Sequence, residues 1–223
     1  MQVTDKFSHA VSAILQAGQR IHQQGWSPAT SSNYSLRLDE SSCAITVSGR
    51  DKGNLVPTDI MRVDLDGAPA AGEDGTPSAE TLLHTSLYRR DAAVGAVLHT
   101  HSLSALLAAE CVATQEPWSM LEISDLELLK AFAGIRSHHD TLRIPVFANS
   151  QDIAALARLV DECLDVAAPV YAYILRGHGV YTWGRDMAEA MRHLEALDQL
   201  FEYTWRVCGR RPSAVQGHHG DRI

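Results

Sequence analysis

Apolar positions along the chain follow two spacings. Phe7, Val11, Ile14 and Ile21 recur at helical intervals, which predicts a helix over residues 5–24 that Gly25 ends. Past the polar stretch from Ser27 to Asn33, Tyr34, Leu36 and Leu38 alternate as in a strand. Segments 43–48 and 61–65 read the same way, and the three predict an antiparallel meander ending at the Asp66-Gly67 turn. Residues 68–77 are loop-like. Ser78 is then expected to cap a helix that buries Leu82, Leu83 and Leu87.

The second half alternates again. A strand is predicted over 94–101, short helices over 103–110 and around 126–132, and a strand over 142–147. Ser150 is expected to cap a helix reaching about residue 164, followed by strands at 170–175 and 179–183. The last helix, 186–207, carries Met187, Met191, Leu194, Leu197, Phe201 and Trp205 on one stripe. These elements predict one domain over residues 1–208, a sheet with helices on both faces, and a polar, mobile tail over 209–223.

Composition narrows the class. A chain of 223 residues, 45% hydrophobic and 21% charged, suits one sizeable globular α/β domain. A formal charge of −8 argues against a general nucleic-acid binder. No run has the length of a membrane span, and the first 20 residues lack the apolar core of a signal peptide. Cys43, Cys111, Cys163 and Cys208 form no CxxC pair and read as free thiols in a cytoplasmic protein.

The sharpest chemical feature is His99-Thr100-His101 at a strand end. Strand side chains alternate, so the two imidazoles share a face and make a ligand pair for Zn²⁺ or another borderline cation. His178, flanked by Gly177 and Gly179 after another apolar strand, adds a third; the glycines permit close backbone approach. Three histidines and an open position match a catalytic zinc site, whereas a solvent-facing HxH and a turn histidine are the plainer alternative. His9, His22 and His193 lie on helices, His138 and His139 in a loop, His218 and His219 in the tail, and His84 reads as a packing or surface residue.

Three polar loops can hold an anion: Thr30 to Asn33, Ser48 to Gly53 with Arg50 and Lys52, and Pro77 to Ala79 at the expected helix start. Each also reads as an ordinary turn or cap. Glu80 falls in the first turn of that expected helix, and Glu127 reads as a solvated residue paired with Lys130 three positions on.

The segments GWSPATSSNYSLRL, TVSGRDKG, PSAETLLHTSLYRR, VGAVLHTHS and YILRGHGVYTWGRDMAEAMRHLEAL, in that order, resemble the class II aldolase/adducin family over about residues 5–205. They are most similar to its dehydratase branch. The resemblance implies a three-layer α/β/α sandwich with a central, largely antiparallel sheet, assembled as a homotetramer with active sites near subunit interfaces. It implies one zinc ion per subunit on His99, His101 and His178, phosphate binding at Ser31, Asn33, Ser48, Gly49 and Ser78, and catalytic roles for Glu80 and Glu127. Ser32 departs from the family, which usually has glycine there.

The activity so implied is zinc-dependent dehydration of 5-methylthioribulose 1-phosphate to 2,3-diketo-5-methylthiopentyl 1-phosphate, a step of methionine salvage. Zinc is a Lewis acid for the carbonyl of such a small phosphorylated keto-sugar, and a carboxylic acid protonates the departing hydroxyl. An aldolase uses the same parts to break a carbon–carbon bond, and the adducin branch has the fold without catalysis.

Overall fold

The computed structural model describes residues 3–167 and 169–208; the expected mobile tail lies outside them. Helix α1 (Val3–Gln23) places Ala10, Ile14 and Ile21 fully inside. Gly25 ends it at φ +75°, with its N–H on the His22 carbonyl and the Trp26 N–H on that of Ile21. That pairing satisfies the free carbonyls of the last turn and turns the chain toward the sheet.

Strands β1 (Asn33–Arg37), β2 (Ser42–Thr46) and β3 (Ile60–Asp64) form the expected antiparallel meander. Helix α2 (Thr81–Arg90), β4 (Ala96–Thr100), α3 (Leu103–Ala109) and β5 (Ser119–Ile123) follow. Then come β6 (Leu142–Phe147), α4 (Ile153–Val166), β7 (Ala172–Leu175), β8 (Gly179–Gly184) and α5 (Met187–Cys208). The eight strands lie in the order β3-β2-β1-β4-β8-β7-β6-β5. Of the described pairs, β6 with β7 is parallel and the others are antiparallel.

Alternation along the strands divides the interior into two cores. Ala96, Leu98, Ile174 and Val180 pack toward α1, α3 and α5, while Val97, Tyr173, Leu175 and Tyr181 pack toward α2 and α4. The result is a three-layer α/β/α arrangement. Burying one such side chain contributes roughly 1.5–3 kcal/mol, so the central strands are anchored from both faces. By the same alternation His99 stands on the α2 side, at the end of β4 where the packing gives way to a pocket.

Three local expectations are corrected. Ser78 does not cap α2. The chain is still extended at Pro77, which bridges to Val47, so the helix opens only at Thr81 and Glu80 takes the position before it. Asp152, not Ser150, caps α4, its Oδ1 accepting the Ala155 N–H at 2.9 Å. The expected helix around 126–132 is a short 3-10 turn, Glu127–Ala131. Strand β5 has no counterpart in the sequence reading, although Leu121 and Ile123 alternate inward along it.

Candidate metal centre and anion pocket

Strands β1, β4 and β8 are neighbours, with Asn33 opposite His99 on one side and Tyr181 opposite it on the other. His101 follows two residues on, its N–H held by the Trp26 carbonyl at 2.9 Å. Gly177, at φ +68°, turns the chain so that His178 comes back over the same point. Gly179 then passes against β4 where a side chain has no room. The three ring centroids are 4.8, 4.9 and 4.8 Å apart, and one ligand nitrogen from each ring lies within 4.8 Å of the others.

The donor chemistry suits a cation. Nδ1–H of His99 donates to the Val180 carbonyl at 3.1 Å, and Nδ1–H of His178 donates to Asn149 Oδ1 at 3.1 Å. The His99 ring therefore keeps Nε2 free as a lone-pair donor, the arrangement that orients metal-bound histidines. Burial pushes His99 well below the usual imidazole range and His101 down to about 4, so both are neutral at pH 7. His99 Nε2 and His101 Nε2 face each other at 3.0 Å, close to the roughly 3.3 Å between ligands of a tetrahedral zinc ion.

Glu80 closes the cluster. Its Oε1 lies 2.9 Å from His178 Nε2 and its Oε2 lies 3.4 Å from His99 Nε2. Asn33 Nδ2 and Tyr181 OH donate to Oε2 at 2.8 and 3.0 Å. Burial pushes this carboxyl up, but the His178 hydrogen bond, the His99 ring and the Asn33 amide outweigh it and hold it well below the usual range.

A cavity of about 200 Å³ opens beside His101 and Glu80. Ser31, Asn33, Ser48, Gly49 and Ser78 all line it, so three loops far apart in the sequence meet at one pocket. Lys52, 2% exposed, lines it too and donates to the carbonyls of Thr30 at 3.2 Å and Arg50 at 2.6 Å, tying two of the loops together. Burial lowers its pKa from the ordinary lysine value, with Asp51, Asp59 and Glu80 opposing the shift. A buried cation beside serine, asparagine and glycine groups suits a small anion.

The sequence model for the Class II Aldolase and Adducin N-terminal domain matches residues 12–205. The chain belongs to the class II aldolase and adducin family. It is 51% identical over 197 residues to the methylthioribulose-1-phosphate dehydratase of Alcanivorax borkumensis, covering 88% of this chain and 90% of that one. To the protein of the same name from Xylella fastidiosa it is 55% identical over 178 residues, 80% of this chain and 79% of the other. Among solved structures, l-fuculose-1-phosphate aldolase from Thermus thermophilus superposes with a TM-score of 0.71 at 25% identity, covering 92% of this chain and all of that one. A sugar-phosphate aldolase from Thermotoga maritima shares the fold at 20% identity and a TM-score of 0.64, over 91% of this chain and 97% of that one.

Two features set this class II aldolase family member apart from the sequence expectations for its site. Ser32, where the resemblance implies a glycine, has a glycine-like backbone with φ +73°. Glu127 is not in contact with the histidines; its side chain is 73% exposed and its carboxylate pairs with Lys130 at 2.5 Å and approaches His138 at 3.9 Å. Sequence alone gives Tyr181 and His84 no part in the site. His84 is fully buried and bonded to Asn33. Its four-residue spacing from Glu80 places both on one face of α2, a signal present in the sequence. No described helix is long and apolar enough to cross a membrane.

Proposed function

We propose that this chain is a zinc-dependent methylthioribulose-1-phosphate dehydratase, a hydro-lyase acting in the cytoplasm as a homotetramer in methionine salvage. The observation that carries the reading is adjacency: Asn33, Glu80 and His101 line the anion pocket, and Glu80 and His101 also belong to the histidine cluster. A ligand with an anionic end in the pocket has its other end at the cluster. The curated relatives at 51% and 55% identity direct that general reading to dehydration.

In this reading the phosphate binds among Ser31, Asn33, Ser48, Gly49 and Ser78, with the Lys52 charge behind it. Binding energy collected there orients the reacting carbons, which are remote from the phosphate. His99, His101 and His178 would hold Zn²⁺, which when bound supplies Lewis-acid polarisation of the keto group. Glu80, held ionised by its donors, sits where it can orient the substrate or take a proton. Protonation of the C4 hydroxyl lets it leave as water after C3 loses its proton, and the enol product tautomerises to the diketone. Glu127 is the acid we assign to that step. Exposed in the single chain, it is open to a neighbouring copy of the homotetramer.

Aldol cleavage is the second reading, and one observation favours it: Glu80 is already at the cluster while Glu127 is not. The two separate by product. Purified protein of measured zinc content is incubated with methylthioribulose 1-phosphate and with fuculose 1-phosphate. The expected result is diketone from the first and no aldehyde from the second. Aldehyde alone transfers the assignment to the aldolase reading, and inert, zinc-free protein supports the non-catalytic branch.

A further inference from the structure

Behind Glu80 and Asn33 runs a line of buried polar side chains, His84, Ser35 and Tyr88, that neither the histidine cluster nor the anion pocket uses. Glu80, His84 and Tyr88 are spaced by four and stand on one face of the α2 segment; Asn33 and Ser35 are spaced by two and stand on one face of β1. The two faces interlock. Tyr88 OH lies 2.8 Å from Ser35 Oγ, and Ser35 Oγ lies 2.8 Å from His84 Nδ1. His84 Nε2 lies 2.5 Å from Asn33 Oδ1, and Asn33 Nδ2 donates to Glu80 Oε2 at 2.8 Å and to Ser78 Oγ at 3.0 Å. Tyr88, Ser35 and His84 are at most 1% exposed and Asn33 is 5% exposed, so water does not substitute for any missing partner.

The direction of every bond in this line follows from its carboxylate end. An ionised carboxylate only accepts, so Asn33 must turn its NH₂ to Glu80 and its carbonyl to His84. That carbonyl needs a donor, so His84 carries its proton on Nε2. Nδ1 is then bare and must accept from the Ser35 hydroxyl, whose oxygen accepts from Tyr88. Full burial pushes the His84 ring down to about 4, so at pH 7 it is neutral and carries the single proton that this pattern uses.

We infer that His84 is a positioning residue: through Asn33 it locks the Glu80 carboxylate into the orientation in which it meets the histidine cluster. The inference rests on the proposed reading for the value of that orientation, and on geometry alone for the line itself. Without a donor at Nε2, the Asn33 amide is free to rotate and present its carbonyl to the carboxylate, which repels it.

Nitrogen NMR of the full-length, zinc-loaded protein tests the line directly. The expected spectrum shows His84 protonated at Nε2 and bare at Nδ1 at neutral pH, and Ser35→Ala, which removes the donor to Nδ1, moves the Nδ1 resonance while the proton stays on Nε2. The opposite tautomer in the wild type, or no response to Ser35→Ala, overturns the inference. Kinetics and zinc affinity test the consequence. His84→Gln can still donate to Asn33 and accept from Ser35, so it is expected within about threefold of wild type in kcat/KM. His84→Leu fills the space without either bond and is expected to lose at least about tenfold in kcat/KM and to bind zinc more weakly in a chelator competition. Equal losses in both variants would make His84 a packing residue only, and a folded, fully active His84→Leu would remove it from the site altogether. If His84→Leu does not fold, the tautomer measurements decide alone. Wild-type protein that shows the predicted tautomer but forms no diketone would sink the functional reading and leave the line intact.

Discussion

A Cβ built on Gly179 would lie 2.1 Å from the carbonyl oxygen of Thr100 and 3.1 Å from His99 Cε1. The glycine is therefore what lets β8 run close enough to β4 for His178 to join His99 and His101. Gly179→Ala must push the strands apart at the cluster. It is expected to destabilise the fold by about 1–3 kcal/mol, the usual cost of overpacking, and to lower zinc content. Denaturant midpoints and metal analysis on the same sample check both. An alanine variant with wild-type zinc and stability would show that the strands separate at no cost.

The histidines make the second prediction. His99→Ala and His101→Ala should each lose most bound zinc and nearly all activity while remaining folded. Full zinc occupancy in the double variant would sink the metal assignment.

The two glutamates are expected to differ in kind. Glu127→Gln should retain zinc and substrate binding but lose about 10²–10⁴-fold in kcat, the range for one acid/base group. Glu80→Gln should act more on zinc affinity and substrate placement. Steady-state kinetics with metal analysis separates them. A near wild-type Glu127→Gln would leave Glu127 as the surface partner of Lys130 and pass the proton chemistry to Glu80.

Ser32 stands in left-handed backbone, which costs a residue with a side chain roughly 1–2 kcal/mol. Its hydroxyl gains little in return, reaching the Trp26 carbonyl only at 3.4 Å. Ser32→Gly should therefore raise Tm by about 2–4 °C, the usual response to 1 kcal/mol in a domain this size. A lower Tm would mean that the hydroxyl outweighs the strain.

Acid stability should depend on Glu189. Its carboxylate accepts from Arg185 N, Nε and Nη2 and from Arg192 Nη2 at 2.8–3.1 Å, and the Arg185 bond is the main cause of its pKa falling from 4.5 to about 2. A depressed carboxylate adds stability above its unfolded pKa and loses it as pH drops through the folded one, so the window is about pH 4.5 down to 2. Urea midpoints for wild type and Glu189→Gln should converge across that window. Parallel curves would show that Glu189 is not the group titrating.

Much of this was legible because strand periodicity is local. His99 and His101 share a face whatever the rest of the chain does, and the glycines around His178 announced a tight approach. The meander of β1 to β3 followed from alternation and turn residues alone. The start of α2 was not legible, because the bridge from Pro77 to Val47 is a long-range contact that overrides the capping preference of Ser78. Lys52 stood in a suspect loop, yet its burial depends on the Thr30 carbonyl reached across another loop. From sequence His84 reads as a packing or surface residue for the same reason: its partners sit on a strand some fifty positions earlier. The exposure of Glu127 concerns surroundings that one chain's sequence does not describe.

The order of the strands has a consequence for assembly of the chain. His99 and His101 are in place once β1 and β4 pair, but His178 arrives only when β8 inserts beside β4. A metal held by all three would bridge segments separated in the chain by α3, β5, β6, α4 and β7, acting as a chelate cross-link across the middle of the sheet. Such a ligand favours the folded chain in proportion to its occupancy. Removing it would loosen the seam between the two halves, and chelator-treated protein should then unfold earlier and exchange the amides of β4 and β8 first.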